Sequence, residues 1–126
     1  MTAEEWRTTV DAYVDECIGL RTPPRATELA ARMGISAVRL TRRLRTNLGV
    51  HPSRYIKERQ VAHAKELLAG DATLDEIAIA AGFGTARTFF RAFSRFTGTT
   101  PAAWRSLQRN GQNVKKMSVA SPEVYN

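Results

Sequence analysis

The amino-acid sequence predicts an all-α protein of about seven helices, arranged as two similar halves joined by a long helix. Three observations lead to this prediction. Apolar residues recur at helical spacing, no segment alternates with a period of two, and one pattern of short helix, glycine turn and longer helix occurs twice. The 126 residues suffice for one domain, or for two small ones that share a core.

The first predicted helix spans about four turns at the N-terminus. Thr2 and Glu5 have the spacing of a capping box, and apolar residues follow at helical intervals from Trp6 to Ile18. Pro23 and Pro24 end the helix, since proline cannot continue it.

The next segment reads as a short helix, a turn and a longer helix. The short helix lies in "ATELAARMGIS" and stops at Gly34, which suits the left-handed conformation of a C-cap. Ser36 can cap the third helix, "AVRLTRRLRTNLG", which Gly49 closes. Pro52 then opens a single long fourth helix that ends at Gly70.

The remaining elements follow the same signals. Thr73 and Glu76 form a second capping box at the start of the fifth helix, and the sixth lies in "GFGTARTFFRAFSRFTGTTP". Pro101 begins a last short helix through Trp104. Residues 106–126 are polar, with Gly, Ser and Pro, and are predicted to form a flexible tail.

The two halves match residue by residue. At an offset of 48 residues, four positions of the two halves correspond: Glu28, Leu29, Ala30 and Gly34 match Glu76, Ile77, Ala78 and Gly82. At an offset of 49 residues, six more correspond: Leu40, Arg42, Leu44, Gly49, Pro52 and Tyr55 match Phe89, Arg91, Phe93, Gly98, Pro101 and Trp104. A short helix, a turn opened by glycine and a longer amphipathic helix is the form of a helix-turn-helix. The sequence therefore predicts two of these units.

The longer helix of each unit has an apolar back and a polar, mostly basic front. The backs are predicted to consist of Leu40, Leu44 and Leu48 in the first unit, and of Phe89, Phe93 and Phe96 in the second. The fronts comprise Val38, Thr41, Arg42 and Arg45, and in the second unit Arg87, Thr88, Arg91 and Arg95. A helix that lies in the major groove of DNA needs an apolar back that holds it on the domain and a row of hydrogen-bond donors that faces the DNA.

The charge distribution also indicates a polyanionic partner. The chain has a net charge of +7, and residues 25–105 carry 14 basic and six acidic residues, whereas residues 1–24 have a net charge of −3. Such an excess favours nucleic acid first and an anionic membrane second. The repeat and the glycine turns argue against a membrane-surface helix. A protein-interaction module that binds an acidic partner remains the alternative.

The segments "IAIAAGFGTARTFFRAFSRFTGTTPAAWR" and "YIKERQVAHAKELLA" resemble the AraC/XylS family of bacterial transcription regulators. The resemblance implies two recognition helices in successive major grooves, with bases read by Val38, Thr41 and Arg42 and by Ala86, Arg87, Thr88 and Arg91. The helix signals, the repeat and the composition of the C-terminal segment give these boundaries: first subdomain 1–51, linker helix 52–70, second subdomain 71–105 and tail 106–126. Arg25 departs from the family pattern, since Ser or Thr is usual at that N-cap.

The chain is similar to stand-alone members of the MarA/SoxS type, although it could equally be the C-terminal module of a longer regulator. The former implies a monomer that binds an asymmetric double-stranded DNA site of about 20 base pairs and activates transcription by recruiting RNA polymerase. The lone Cys17 fits a reducing compartment, and the sequence has neither a signal peptide nor a membrane-length apolar run. We therefore expect a cytoplasmic protein that is not an enzyme, with no cofactor, no metal site and no catalytic residues.

Overall fold

The structure, a computed structural model, describes residues 1–117 of the chain. In that range it contains seven α-helices and no strand, which confirms the predicted all-α fold. The helices are α1 (Ala3–Leu20), α2 (Ala26–Arg32), α3 (Ala37–Leu48), α4 (Pro52–Leu68), α5 (Leu74–Ala80), α6 (Ala86–Thr97) and α7 (Pro101–Met117). No helix among these residues has both the length and the apolar character to cross a membrane.

Two hydrophobic cores lie in the fold, one for each helix-turn-helix unit. The first joins one face of α1 to α2 and α3, with Leu40 and Leu44 fully buried. The second joins α5 and α6, with Phe89 and Phe93 fully buried. The equivalent positions of the repeat thus occupy equivalent positions in the two cores.

Helix α4 contributes to both cores. Ile56, near its N-terminus, packs in the first core, whereas Val61, Ala64 and Leu68 pack in the second. The linker helix is therefore held by apolar contacts along its length, and it fixes the two units relative to each other.

Most predicted capping residues lie at helix ends, but α2 has Met33 and not Gly34 as its C-cap. Ser36 accepts a hydrogen bond from the N–H of Arg39, and the Thr73–Glu76 capping box is complete. Gly49 and Gly98 close α3 and α6 in the left-handed conformation. These local signals mark the start of α3 and α5 and the ends of α3 and α6.

Helix α7 is longer than the sequence predicted. The prediction of a helix only through Trp104 was wrong, since residues 106–117 continue it and do not form a tail. The Arg105 guanidinium donates to the carbonyl oxygens of Leu68 (3.1 Å) and Ala72 (2.7 Å), so it satisfies acceptors at the C-terminal end of α4. This contact anchors α7. Residues 118–126 of the predicted tail lie outside the described residues.

The two units also touch directly. Gly82, in the turn of the second unit, has a φ of +78°, and a Cβ atom there would lie 3.2 Å from the Thr22 carbonyl oxygen and 3.4 Å from Pro24. On the other side, Gln60 of α4 donates to the Ala81 carbonyl oxygen at 3.1 Å. The α1–α2 connection therefore packs against the second turn, and only glycine fits this position without strain.

Candidate nucleic-acid interface

The apolar backs of α3 and α6 hold both helices on the body of the protein. Leu40, Leu44, Phe89 and Phe93 are all 0% exposed, as their assignment to the core predicted. Leu48 and Phe96 are half-buried and pack at the edges of the two cores. With these sides buried, the opposite sides of both helices face outward.

On α3, the predicted front is exposed except at one residue. Val38 is 70% exposed, and Arg42 and Arg45 are also exposed. Thr41 is half-buried, and its hydroxyl donates to the Ala37 carbonyl oxygen at 3.0 Å. The structure therefore brings these four residues together on one outward side.

On α6, the three predicted arginines are all exposed: Arg87, Arg91 and Arg95. Ala86 and Thr88 are half-buried. The Thr88 hydroxyl accepts a hydrogen bond from the Thr85 hydroxyl at 3.0 Å, while the Thr88 N–H donates to Thr85 as part of the helix cap. Thr88 is consequently tied to the start of the helix, and the arginines extend beyond it.

The arginines of α3 and α6 make no ion pair within residues 1–117. They number seven: Arg39, Arg42, Arg43, Arg45, Arg87, Arg91 and Arg95. Because exposed cations without a nearby acid keep their full charge toward solvent, both helices present a positive surface.

The acidic residues of α1 are used inside the protein instead. Asp11 and Asp15 both pair with Arg59 of α4, at 3.2 and 3.3 Å. Glu16 pairs with Arg32 of α2. These acids of the negative N-terminal segment thus pair with arginines outside α3 and α6, and the arginines of α3 and α6 keep their charge.

A cleft of about 650 Å³ separates α6 from the N-terminal turns of α4, and we call it the α4–α6 cleft. It is lined by His51, Ser53, Arg54, Lys57, Thr88, Arg91, Ala92, Arg95 and Phe96. Four of these side chains are Arg or Lys, so the cleft is strongly basic. The α4 residues were not among the predicted site residues, because a contact between α4 and α6 depends on tertiary packing.

Two details define the α4 side of the cleft. His51 accepts the N–H of Ser53 at its Nδ1 atom (3.1 Å), so the Nε2 atom is left to carry the ring proton as a donor. Lys57 is half-buried with its ammonium 5.5 Å from the centre of the Phe83 ring, and burial lowers its pKa below the usual lysine value. An ammonium that is partly desolvated in this way gains more from an anionic partner than a fully hydrated one.

A second, smaller depression of about 580 Å³ lies along α3. Its lining residues are Ser36, Val38, Arg39, Arg42, Arg43 and Thr46. Arg39 and Arg43 were absent from the predicted site, although both are exposed on the flank next to Arg42. A count of all arginines on the exposed side of α3, beyond the positions suggested by the resemblance, could have identified them.

Among residues 1–117, no three His, Cys, Asp or Glu side chains lie close enough together to hold a metal ion. The site consists instead of two basic helix faces and a basic cleft. Such an arrangement offers hydrogen-bond donors and positive charge, and no carboxylate or thiol lines the cleft or the depression along α3.

A family model described as a helix-turn-helix domain matches residues 29–107, well over half of the chain. Together with the two helix-turn-helix units in the structure, this match decides the family. The chain belongs to the AraC-type helix-turn-helix family. The matched segment of this AraC-type domain begins within α2 and ends within α7, so it includes most of both units.

Solved structures agree with this AraC-type assignment. The DNA-binding domain of AdpA, a global transcriptional factor crystallised in complex with a target DNA, is 29% identical with a TM-score of 0.70; the match covers 80% of this chain and 93% of that one. A transcriptional regulator from Chromobacterium violaceum, described as an AraC-type DNA-binding domain-containing protein, is 25% identical with a TM-score of 0.64; that match covers 82% and 88%.

An uncharacterized HTH-type transcriptional regulator of Staphylococcus aureus (strain MSSA476) is 34% identical over 79 residues. The match covers 62% of this AraC-type chain but only 11% of the relative. The chain thus corresponds to a small part of that regulator. Both relatives are described as regulators of transcription.

Proposed function

We propose that the chain is a sequence-specific transcription regulator that inserts α3 and α6 into successive major grooves of double-stranded DNA. The observation that carries the proposal is the set of seven arginines on α3 and α6 with no ion pair among the described residues. They lie on the outward sides of two helices whose backs are buried. The AdpA domain was crystallised with a target DNA, which supports the same role for this fold.

Base reading is assigned to the centre of each front. Arg42 and Arg91 occupy equivalent positions in the repeat, and a guanidinium there can donate two hydrogen bonds to the O6 and N7 atoms of guanine. Val38 offers an apolar contact at the start of α3, as Ala86 does at the start of α6. Thr41, Arg87 and Thr88 complete the set of base-reading residues that the resemblance implies, and Arg45 lies on the same front as Arg42.

Phosphate binding is assigned to the α4–α6 cleft. Arg54, Lys57 and Arg95 surround it, and the N-terminal end of α4 adds the positive end of the helix dipole. A phosphate held there would fix the position of α6 in its groove, and Arg91, which also lines the cleft, would be left to donate to the bases.

The linker helix sets the spacing between the two grooves. Helix α4 has 17 residues and is therefore about 25 Å long, which is compatible with major grooves that are about 34 Å apart on one face of DNA. The two fronts carry different side chains, so the bound site is asymmetric. One chain supplies both helices, and a monomer is sufficient.

The proposal extends to recruitment of RNA polymerase by the DNA-bound chain, as in the stand-alone regulators that the sequence resembles. In vitro transcription from a promoter that contains the bound site tests this step. A site-dependent increase in transcript supports recruitment, whereas repression or no effect contradicts it.

Selection from a pool of random DNA duplexes tests the proposed function. A sequence-specific regulator enriches one asymmetric motif, and with six to ten phosphate contacts its affinity falls about 10³- to 10⁵-fold between 50 and 200 mM salt. The alternative, a module that binds an acidic protein, predicts salt-dependent binding without enrichment of any motif. That outcome would contradict the proposal.

A further inference from the structure

Phe90 of α6 is exposed in a way that its neighbours are not. Phe89 and Phe93 are 0% exposed, whereas Phe90 is 39% exposed. It is the one aromatic residue among the large apolar side chains that are exposed in the described part of the chain. Its ring meets the edge of Phe89 at 5.7 Å between centres, so one side is packed while the rest is open to solvent.

The internal repeat places Phe90 at a reading position. The offset that aligns Arg42 with Arg91 also aligns Thr41 with Phe90. Thr41 belongs to the predicted front of α3. Since both units bury equivalent back positions, their fronts must also be equivalent, and Phe90 therefore lies on the face of α6 that Thr41 occupies on α3.

Helix geometry places Phe90 and Thr88, one of the predicted reading residues of α6, on different sides of the helix. At 3.6 residues per turn, Thr88 and Phe90 point about 160° apart around the helix, and Arg91 lies between them. Thr88 lines the α4–α6 cleft. Phe90 lies away from that cleft, beside Arg91 and one turn after Arg87.

We propose that Phe90 is a specificity-determining residue that recognises thymine through contact with its 5-methyl group. This inference rests on the proposed function. The thymine methyl is the apolar feature of the major groove, and Phe is among the side chains suited to contact it. An exposed ring between arginines has no polar group to offer a base, and its burial against a methyl removes apolar surface from water.

The predicted size of the effect follows from one methyl group. Burial of a CH₂-sized group contributes about fourfold to an equilibrium constant. Replacement of a thymine by deoxyuridine removes only this methyl group. When the replaced thymine is the one that Phe90 contacts, the wild-type chain should bind the site roughly three- to tenfold more weakly.

The test uses the duplex obtained by selection, with each thymine replaced in turn by deoxyuridine. Dissociation constants are measured for the full chain, for Phe90→Ala and Phe90→Leu, and for the control Leu107→Ala. Leu107 is 51% exposed on α7, so its substitution removes a similar exposed apolar side chain at a position outside the recognition helices. Thermal unfolding of each variant confirms that it is folded.

We expect one or two sensitive thymines in the half of the site that α6 binds. When deoxyuridine replaces such a thymine, the wild-type chain, Leu107→Ala and Phe90→Leu all bind more weakly. The affinity of Phe90→Ala does not change. Equal sensitivity of Phe90→Ala and wild type at every thymine would overturn the assignment of Phe90. So would a site in which no thymine is sensitive. In both cases specific DNA binding remains intact, whereas failure of the proposed function appears earlier, as a selection without any motif.

Discussion

The hydroxyl of Tyr13 accepts a hydrogen bond from the backbone N–H of Arg25 at 2.9 Å. The same hydroxyl lies 2.7 Å from a carboxylate oxygen of Glu28, to which it donates. Arg25 is the N-cap of α2 and makes no side-chain capping bond. Tyr13 of α1 thus takes the place of the missing Ser or Thr, and it links the N-cap to Glu28 much as Thr73 links to Glu76 at the start of α5.

Tyr13→Phe should destabilise the first unit by about 1–2 kcal/mol, because the Arg25 N–H and the Glu28 carboxylate lose their common partner. Arg25→Thr in the same background should recover most of this loss, since it creates a capping box with Glu28. Denaturant unfolding of both variants measures the effect. If Arg25→Thr gave no recovery in the Tyr13→Phe background, the capping role of Tyr13 would be wrong.

Gly82→Ala and Gly34→Ala form a matched pair, because both glycines have positive φ and occupy the same position of the repeat. Each substitution should lower the free energy of unfolding by about 1–2 kcal/mol, because alanine is strained in the left-handed backbone conformation. The loss should be larger for Gly82→Ala, because its new Cβ atom meets the Thr22 carbonyl oxygen, whereas open space surrounds Gly34. Equal losses in thermal unfolding would show that the contact between the two units does not constrain this turn.

Phe93→Ala should destabilise the second unit by about 3–5 kcal/mol, because it leaves a cavity at a fully buried position beside Trp104. Phe96→Ala is the control on the same helix, and it should cost less because Phe96 is only half-buried. Calorimetry or denaturant unfolding measures both. An unchanged unfolding midpoint for Phe93→Ala would show that the assignment of Phe89, Phe93 and Phe96 to the buried side of α6 is wrong.

The sequence was sufficient for the features that short-range signals determine. Ser36 and Thr73 mark helix starts, Gly49 and Gly98 mark helix ends, and the repeat identified the two units. These features depend on residues a few positions apart. The prediction therefore located both recognition helices and the buried sides of each.

Features that depend on distant contacts were missed. Arg105 stabilises α7 through carbonyl groups 33 to 37 positions earlier in the chain, so the extension of α7 had no local signal. The basic cleft depends on α4 packing against α6. The repeat aligns Phe90 with Thr41, but the resemblance favoured Thr88, and only the structure shows that the Phe90 ring is exposed.

Arg91→Ala should weaken binding by about 1–3 kcal/mol at one base pair and relax the preference there, if its guanidinium donates to guanine. Arg7→Ala is the control, because Arg7 is an exposed arginine of α1 that pairs with Glu4 and lies outside the recognition helices. Competition binding against single-base variants of the site measures both. A uniform loss over all sequences would instead make Arg91 a phosphate contact.

The central claim is that one chain uses both helix-turn-helix units on one DNA site. Hydroxyl-radical footprinting combined with the stoichiometry of the complex tests it most directly. The account predicts a single chain bound to an asymmetric site of about 20 base pairs, with protection in two successive major grooves. A palindromic site occupied by two chains, or protection of only one groove, would contradict it.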